Sequence, residues 1–146
     1  MPSVTYGNQA TPLIFKNGNT SSFQLLSFAG ALMNFSMDVG NSIVYRELVG
    51  GTKEVLLTDR TANGSVTIEA PTLAQKDFFV SALNDTTLGN LTVTHGTTAG
   101  NIVRVTSTKV DIGDVAYGEA DGVTMLEIPY TLVPSSANDE LGIVFT

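Results

Sequence analysis

The sequence predicts a mainly β fold, a β-sandwich or partly closed barrel of about eight strands with one flanking α-helix at about residues 73–84. Three observations predict it: apolar and polar residues alternate with period two in several short segments, turn signals separate these segments, and a single segment has helical spacing. With 146 residues, 42% of them hydrophobic and 14% charged, the chain suits one folded domain over 1–146 rather than a disordered polypeptide.

The first segments along the chain differ sharply in composition. Residues 1–22 are rich in Gly, Asn, Ser and Thr around the short apolar stretch Leu13–Phe15, and we expect them to form a flexible N-terminal arm with at most one strand. Apolar residues then become denser, and Phe35, Met37 and Val39 alternate with polar residues. This period predicts a half-buried strand.

The next segments predict a hairpin and a further strand. Residues 43–49 are β-branched or aromatic, Gly50-Gly51 interrupts them, and residues 55–57 resume the apolar run, so we expect two strands joined by a tip. Asn63-Gly64 opens an alternating segment that ends before Pro71, because proline lacks the amide proton that a strand ladder needs.

One segment predicts the helix. Thr72 and Gln75 have the spacing of a capping box, in which two side chains satisfy amides of the first turn. Leu73, Val80 and Leu83, with Phe79 beside them, form an apolar stripe at helical spacing. We therefore expect a helix that begins after Thr72, buries this stripe and ends near Asn84.

The remaining segments alternate again and predict two hairpins and a last strand. Residues 91–94 and 102–106 flank a glycine-rich turn, and residues 110–117 and 123–133 flank Asp121-Gly122, a dipeptide typical of tight hairpins. Residues 141–145 predict the last strand.

The residue inventory excludes most catalytic chemistry. The chain has no cysteine and one histidine, His95, which lies beside a turn and is expected to be a hydrogen-bonding structural residue. Asp111 with Asp114, and Glu119 with Asp121, lack the spacing of a calcium loop. We therefore expect no enzyme, no cofactor and no metal site, with an enzyme that uses a carboxylate pair as one alternative.

The net charge is −7, and the charged residues are unevenly distributed along the chain. Residues 1–109 balance acids and bases, whereas the last 37 residues carry seven acids and no Lys or Arg. This distribution excludes phosphate neutralisation by the C-terminal part, and it suits either simple solubility or a surface that repels polyanions. Residues 1–10 lack a basic leader and no apolar run reaches about 18 residues, so neither a secretory signal nor membrane anchoring is expected.

A series of motifs over about residues 35–146 resembles the tail tube proteins of long-tailed, siphophage-type bacteriophages. The motifs, in order, are Thr58–Arg60, Gly64–Pro71, His95-Gly96 with Gly100-Asn101, Tyr117–Gly122 and Asn138–Leu141.

The resemblance implies a structural virion protein, found in the phage tail and assembled in the bacterial cytoplasm. Such a subunit forms hexameric rings that stack into a tube, the channel for DNA ejection. Its partners are further copies of itself, other tail proteins (terminator, tape measure and baseplate or hub) and passing double-stranded DNA that it does not bind specifically. The alternatives are a related ring-forming virion protein (tail terminator, head–tail connector or hub domain) and, from another class, a β-sandwich binding module, which the absence of Trp disfavours.

Three sets of residues follow from joining the resemblance to the charge pattern. The candidate acids lining the channel are Asp111, Asp114, Glu119, Asp121 and Glu127. The candidate loop between stacked rings comprises Gly50, Gly51, Thr52, Lys53 and Glu54. The candidate subunit-interface motif comprises Asn138, Asp139 and Glu140.

Overall fold

The computed structural model describes residues 12–51, 53–84, 88–136 and 138–146. In these residues, strands alternate with tight turns and one short helix lies between the fifth and sixth strands. The elements are β1 (Thr20–Leu25), β2 (Leu32–Asp38), β3 (Asn41–Glu47), β4 (Lys53–Arg60), β5 (Asn63–Glu69), α1 (Phe78–Leu83), β6 (Gly89–His95), β7 (Val103–Ile112), β8 (Ala116–Ala120), β9 (Val123–Leu132) and β10 (Gly142–Phe145).

Most strands form one antiparallel sheet in the order β1-β6-β7-β9-β5-β2, with β8 paired to β9 and β10 paired to β7. Strands β3 and β4 pair with each other in a separate two-stranded sheet. The fold is therefore mainly β with one helix, as the sequence predicts. The described residues form ten strands rather than about eight, and β7 continues through residues 107–109, where the sequence predicts a gap between two strands.

Strands β7 and β8 both pair with the same edge of β9, and the chain segment between them has one residue more than the facing part of β9. Ile112 lies opposite Tyr130, and Ala116 lies opposite Glu127, so four residues on one side match three on the other. The Gly113 amide still donates to the Pro129 carbonyl at 2.9 Å. This one-residue excess is the count of a β-bulge, which shifts the later side chains to the opposite face.

The turn between β8 and β9 is the tight hairpin that the Asp-Gly dipeptide predicts. Asp121 and Gly122 have φ angles of 51° and 79°, and Ala120 pairs directly with Val123. Positive φ at both central residues defines a type I′ turn, which matches the twist of the flanking strands.

The core is built from the inward-facing residues of the curled sheet. Along β9 every second side chain is buried, and the same alternation on β5 and β7 supplies the facing side chains. Helix α1 adds one fully buried ring, that of Phe78. The principal core residues are Leu25, Val66, Ile68, Phe78, Leu91, Val110, Ile112, Leu126, Ile128, Tyr130 and Leu132.

The sheet curls without closing. Strands β1 and β2 are its two ends, and residues of β1 and of the segment leading into β2 line a single cleft of about 690 Å³. Neither strand pairs with the other along this cleft, so the fold is a partly closed barrel.

The predicted helix is wrong in its start and in its buried face. Asp77, not Thr72, caps the helix, since its Oδ1 accepts from the Val80 amide at 3.0 Å. The Gln75 side chain does accept from the Thr72 amide at 3.0 Å, but this contact closes a separate turn before the helix.

The predicted apolar stripe of the helix is exposed. Leu73, Val80 and Leu83 are 65%, 52% and 82% exposed, whereas Phe78 is 1% exposed. The helix has only six residues. The large Phe78 ring gains the most by burial, so it sets which side of the helix faces the core. The side chains of the predicted stripe then point outward.

The predicted N-terminal arm is corrected where the structure describes it. Residues 20–22 belong to β1 and pair with β6, and residues 13–15 form no strand. Instead, the Phe15 ring stacks on His95 at 5.6 Å between centroids, and the His95 Nε2 lies 3.2 Å from the Leu13 carbonyl. The His95 Nδ1 lies 3.2 Å from the Thr20 hydroxyl, so this histidine has the expected structural hydrogen bonds. Residues 1–11 of the predicted arm lie outside the described residues.

Candidate functional site: a projecting hairpin and an acidic sheet face

The β3–β4 hairpin projects from the domain. Among the described strands and helix, β3 and β4 make substantial contacts only with each other, and the last residue of β4, Arg60, contacts Asn138 and Glu140. Every residue of β3 is exposed, and β4 has no buried residue. Eight strand residues at about 3.3 Å each give the hairpin a length of about 25 Å.

One face of this hairpin is apolar and has no partner. Ile43 lies opposite Leu57, and Tyr45 opposite Val55, which places all four side chains on the same face. Their exposed fractions lie between 56% and 68%. A contiguous apolar face of this kind on a projecting element is typical of an interaction surface. We call these four residues the hairpin face.

Polar contacts within the hairpin hold its outer half in shape. Arg46 forms an ion pair with Glu54, and Lys53 with Glu47. The Tyr45 hydroxyl donates to the Glu47 carboxylate at 3.2 Å. Because these pairs are exposed, each contributes about 0–1 kcal/mol.

The predicted inter-ring loop is therefore only partly a loop. Gly50 and Gly51 lie in the turn, with φ of 78° at Gly50 and a hydrogen bond from the Gly51 amide to the Leu48 carbonyl at 3.0 Å. Lys53 and Glu54 are strand residues of β4, because the pairing with β3 continues out to Glu47 and Lys53. Thr52 lies outside the described residues.

The predicted interface motif makes its contacts within this chain, at the base of the hairpin. The Arg60 guanidinium donates to the Asn138 side-chain carbonyl at 3.1 Å and forms an ion pair with the buried Glu140. Asp139 Oδ1 accepts from the amides of Ser135 and Ser136 at 2.7 and 3.0 Å. These backbone hydrogen bonds, that of Ser136 first, lower the pKa of the Asp139 carboxyl. We call residues 135–136 and 138–140 the C-terminal turn.

The acidic face is the outer, polar side of the sheet. Asp111 lies opposite Thr131, and Glu127 opposite both Thr67 and Ala116, all on the side away from the core. Asp114 lines a shallow depression with Glu127 and Thr67. Since Asp111 and Asp114 are three residues apart, regular alternation would place them on opposite faces, and the bulge at Gly113 brings them to the same one.

The other two candidate acids lie towards the end of the β8–β9 hairpin. Glu119 borders a second depression that Glu127 also lines, and Asp121 is in the turn itself. All five candidate acids are exposed. The structure thus places Asp111, Asp114 and Glu127 on one face, Glu119 at its border and Asp121 at the hairpin tip.

Sequence reasoning missed two acids of this face. Glu69 lies opposite Met125, next to Glu127 along the outer side, and Asp38 lies opposite Asn63. Period-two alternation of β2 and β5 marks them as outward-facing, but only the strand order places Glu69 beside β9 and Asp38 one strand further out. Strands β2, β5, β8 and β9 contain no Lys or Arg. Strand β7, which carries Asp111, also carries Lys109 two residues earlier, so the acidic face has a base at its β7 side.

The described residues contain no group of three or more His, Asp or Glu side chains placed to hold a metal ion. No helix among them has the length and apolarity to cross a bilayer. Buried Tyr130 has a raised pKa because burial disfavours its charged form, and its hydroxyl donates to the Ser36 carbonyl at 2.7 Å. This tyrosine is therefore a structural hydrogen-bond donor.

Fold and surfaces together define the class: a mainly antiparallel β domain with a free-standing apolar hairpin and an acidic sheet face. A scan against models of protein families and a search of curated proteins both gave no match. The resemblance to tail tube proteins accordingly stays a prediction from the sequence.

Proposed function

We propose that this chain is a tail tube subunit of a long-tailed bacteriophage, which assembles into stacked hexameric rings around a channel for DNA. The observation that carries the proposal is the projecting hairpin with its unpartnered apolar face. A hairpin that contacts little else in its own subunit is suited to contact a copy in the next ring.

The size of the hairpin face supports a role in stacking. Full burial of a Val, Leu or Ile side chain gains roughly 1.5–3 kcal/mol. The four half-exposed side chains of the hairpin face therefore offset a substantial part of the roughly 4–15 kcal/mol of entropy that association costs. Six such contacts between two rings add together, so weak single contacts suffice.

The unpaired sheet edges support assembly by strand addition. Strands β1 and β2 are the ends of the main sheet, and each has one strand partner among the described elements. Exposed strand edges pair readily with other chains. Closure of a ring covers such edges, since each subunit then supplies an edge to its neighbour.

The acidic face supports the lining of a DNA channel. Double-stranded DNA carries one negative charge per about 1.7 Å of axis, so a wall that neutralised phosphates would hold it. Asp114 and Glu127 line a depression with no Lys or Arg in its lining, so they repel phosphates over the Debye length of about 8 Å. The charge of Asp111, in contrast, is partly offset by Lys109 two residues before it on β7. A wall of this kind lets DNA slide.

Electron microscopy of the concentrated protein tests the proposal. A tube subunit gives long filaments with a central channel, at a mass per length that fits rings of six. Single rings that never stack would instead favour a tail terminator or connector. A protein that stays monomeric at every concentration, with or without filament ends as seeds, would refute the proposal and favour a binding module.

A further inference from the structure

We propose that Arg60 is a positioning residue that fixes the direction of the β3–β4 hairpin by clamping its base to the C-terminal turn. The proposal concerns the isolated subunit. The link between this clamp and assembly rests on the proposed function, because the direction of the hairpin affects assembly only if the hairpin contacts a second copy in the next ring.

One crossing of the hairpin is fixed to the main sheet, since Ala62 is 2% exposed and its carbonyl accepts from the Leu132 amide at 2.8 Å. Beyond Ala62, few of the described contacts besides those of Arg60 hold the direction of the hairpin. It joins the main sheet through two short crossings, at residues 39–40 and 61–62, and the hydrogen bond between them, from the Thr61 amide to the Gly40 carbonyl, is long at 3.4 Å. Two crossings side by side can act as a hinge for the part of the hairpin beyond Ala62, because rotation about the line between Gly40 and Thr61 breaks few contacts.

Space beside the hinge leaves room for this rotation. An open recess of about 420 Å³ separates the base of β4 from the C-terminal turn, and residues from Leu57 to Arg60 line one side of it. Pro134 to Ser136, Asn138 and Glu140 line the other side. Packing therefore does not support the hairpin here, and the contacts of Arg60 cross the recess.

The contacts of Arg60 are suited to hold the base of the hairpin against the C-terminal turn. It is the last residue of β4, and its guanidinium reaches both Asn138 and Glu140. The Glu140 side chain is 8% exposed and that of Arg60 is 28% exposed. A buried carboxylate that loses its cation is strongly unfavourable, so the pair resists separation more than an exposed pair does. Both acceptors are contacted by the same guanidinium nitrogen, Nη2, so this one atom joins β4 to two residues of the C-terminal turn.

The other side of the clamp is anchored in the domain. Asp139 accepts two backbone hydrogen bonds inside the C-terminal turn, Leu141 packs on the core, and β10 then pairs with β7. The position of Glu140 is thus fixed relative to the main sheet, because the residues around it are hydrogen-bonded or packed on the domain.

A small change at the base has a large effect at the tip. For a hairpin about 25 Å long, a tilt of about 10° moves the tip by about 4 Å, more than the separation of two hydrogen-bonded atoms. The hairpin face cannot then meet a fixed complementary surface. The direction of the hairpin, which Arg60 fixes, therefore decides whether Tyr45 and Val55 of the hairpin face can contact another copy.

Distance measurements between two spin labels test the clamp. The chain has no cysteine, so Val49→Cys at the hairpin tip and Thr131→Cys on the main sheet provide unique labelling positions. In dilute isolated subunits we expect a narrow distance distribution that Arg60→Met broadens at least two-fold. Glu140→Gln, which keeps the shape of the side chain, should broaden it as well, and Arg60→Lys should give an intermediate width.

The matched control is Arg46→Met, which removes an ion pair of the same type inside the hairpin. It should leave the distribution narrow, and thermal unfolding identifies any variant that fails to fold. A distribution that stays narrow in folded Arg60→Met or Glu140→Gln, or that broadens equally in Arg46→Met, overturns the clamp. Micrographs of the unlabelled protein decide the proposed function separately, so the two can fail independently.

Discussion

Gly64 lies at a close approach that no other residue fits. A Cβ there would be 2.1 Å from the Ser36 carbonyl oxygen and 2.6 Å from the Tyr130 hydroxyl, the two atoms joined by the buried hydrogen bond. The sequence predicts that Asn63-Gly64 opens a strand, as it does in β5, and the structure shows that this glycine lets β2 and Tyr130 meet.

Gly64→Ala should therefore destabilise the domain by about 3 kcal/mol, because the backbone of β2 must shift to admit the methyl group. Gly118→Ala is the control, since its new Cβ would meet only the mobile end of Glu127 at 3.1 Å and should change the free energy of unfolding by less than about 1 kcal/mol. Chemical denaturation measures both. Equal effects of the two substitutions would contradict the assignment.

Asp139 predicts a pH dependence with a defined sign. Its pKa is lowered in the folded protein by the amides of Ser136 and Ser135, so the charged carboxylate stabilises the C-terminal turn above its unfolded pKa of about 3.9. This stabilisation is lost as the pH falls through the folded pKa. We expect Asp139→Ala to be less stable than the wild type at pH 7 and the difference to shrink below about pH 4.

Thermal unfolding between pH 7 and pH 2.5 measures this difference. Asp139→Asn keeps an acceptor for the two amides but removes the charge, so its stability relative to Asp139→Ala should not vary with pH. A wild-type advantage that is unchanged at pH 2.5 would disprove the role of the charge.

At the scale of elements, the short helix shows how tertiary packing overrides a local pattern. Thr72 and Gln75 satisfy the capping-box spacing, but Asp77 is the cap that the folded chain uses. Asp77→Ala should cost about 1 kcal/mol and raise amide exchange across residues 79–82. Thr72→Ala should leave that exchange unchanged. Faster exchange in Thr72→Ala but not in Asp77→Ala would instead support the longer helix that the sequence predicts.

The hairpin face is the element on which assembly is expected to depend. The double substitution Ile43→Thr with Val55→Thr keeps β-branched residues on the strands while reducing the apolar area. It should leave the circular dichroism spectrum unchanged and raise the concentration needed for filaments at least ten-fold, a loss of about 1.4 kcal/mol per contact.

The control for this double variant is Leu83→Gln on α1, which removes an exposed apolar side chain elsewhere; Leu83 is 82% exposed, against 64% for Ile43 and 68% for Val55. Light scattering and micrographs provide the measurement. Filaments that form equally well with the altered hairpin face would show that stacking does not use it.

At the scale of the whole molecule, the acidic face links charge to function. Asp114→Lys with Glu127→Lys reverses two charges that line the same depression. If this face lines a channel, the altered assemblies should bind duplex DNA with an affinity that decreases steeply with salt, and the wild-type assemblies should not. Asp121→Lys in the hairpin turn, away from that depression, is the control. DNA binding that increases only with the turn variant would assign the channel to another surface.

Much of the fold could be predicted because its signals are local. Alternation located β5, β6 and β9, the Asp-Gly dipeptide located the turn after β8, and Gly50-Gly51 located the tip of the hairpin. The candidate site was less predictable. The roles of Arg60 and Glu140 depend on a contact between residues 80 positions apart, for which a single sequence carries no signal.

The sequence by itself determined the mainly β class, the position of most strands and of the Gly50-Gly51 and Asp121-Gly122 turns, and that the charge surplus lies in the last 37 residues. Only the tertiary structure decided which face each acid occupies, because one extra residue at Gly113 reverses the alternation between Asp111 and Asp114. It also decided that the hairpin pairs with no other described strand and that Val80 and Leu83 on α1 are exposed. The physical reason is that strand propensity is a property of neighbours along the chain, whereas register and burial are set by hydrogen bonds and contacts between distant segments.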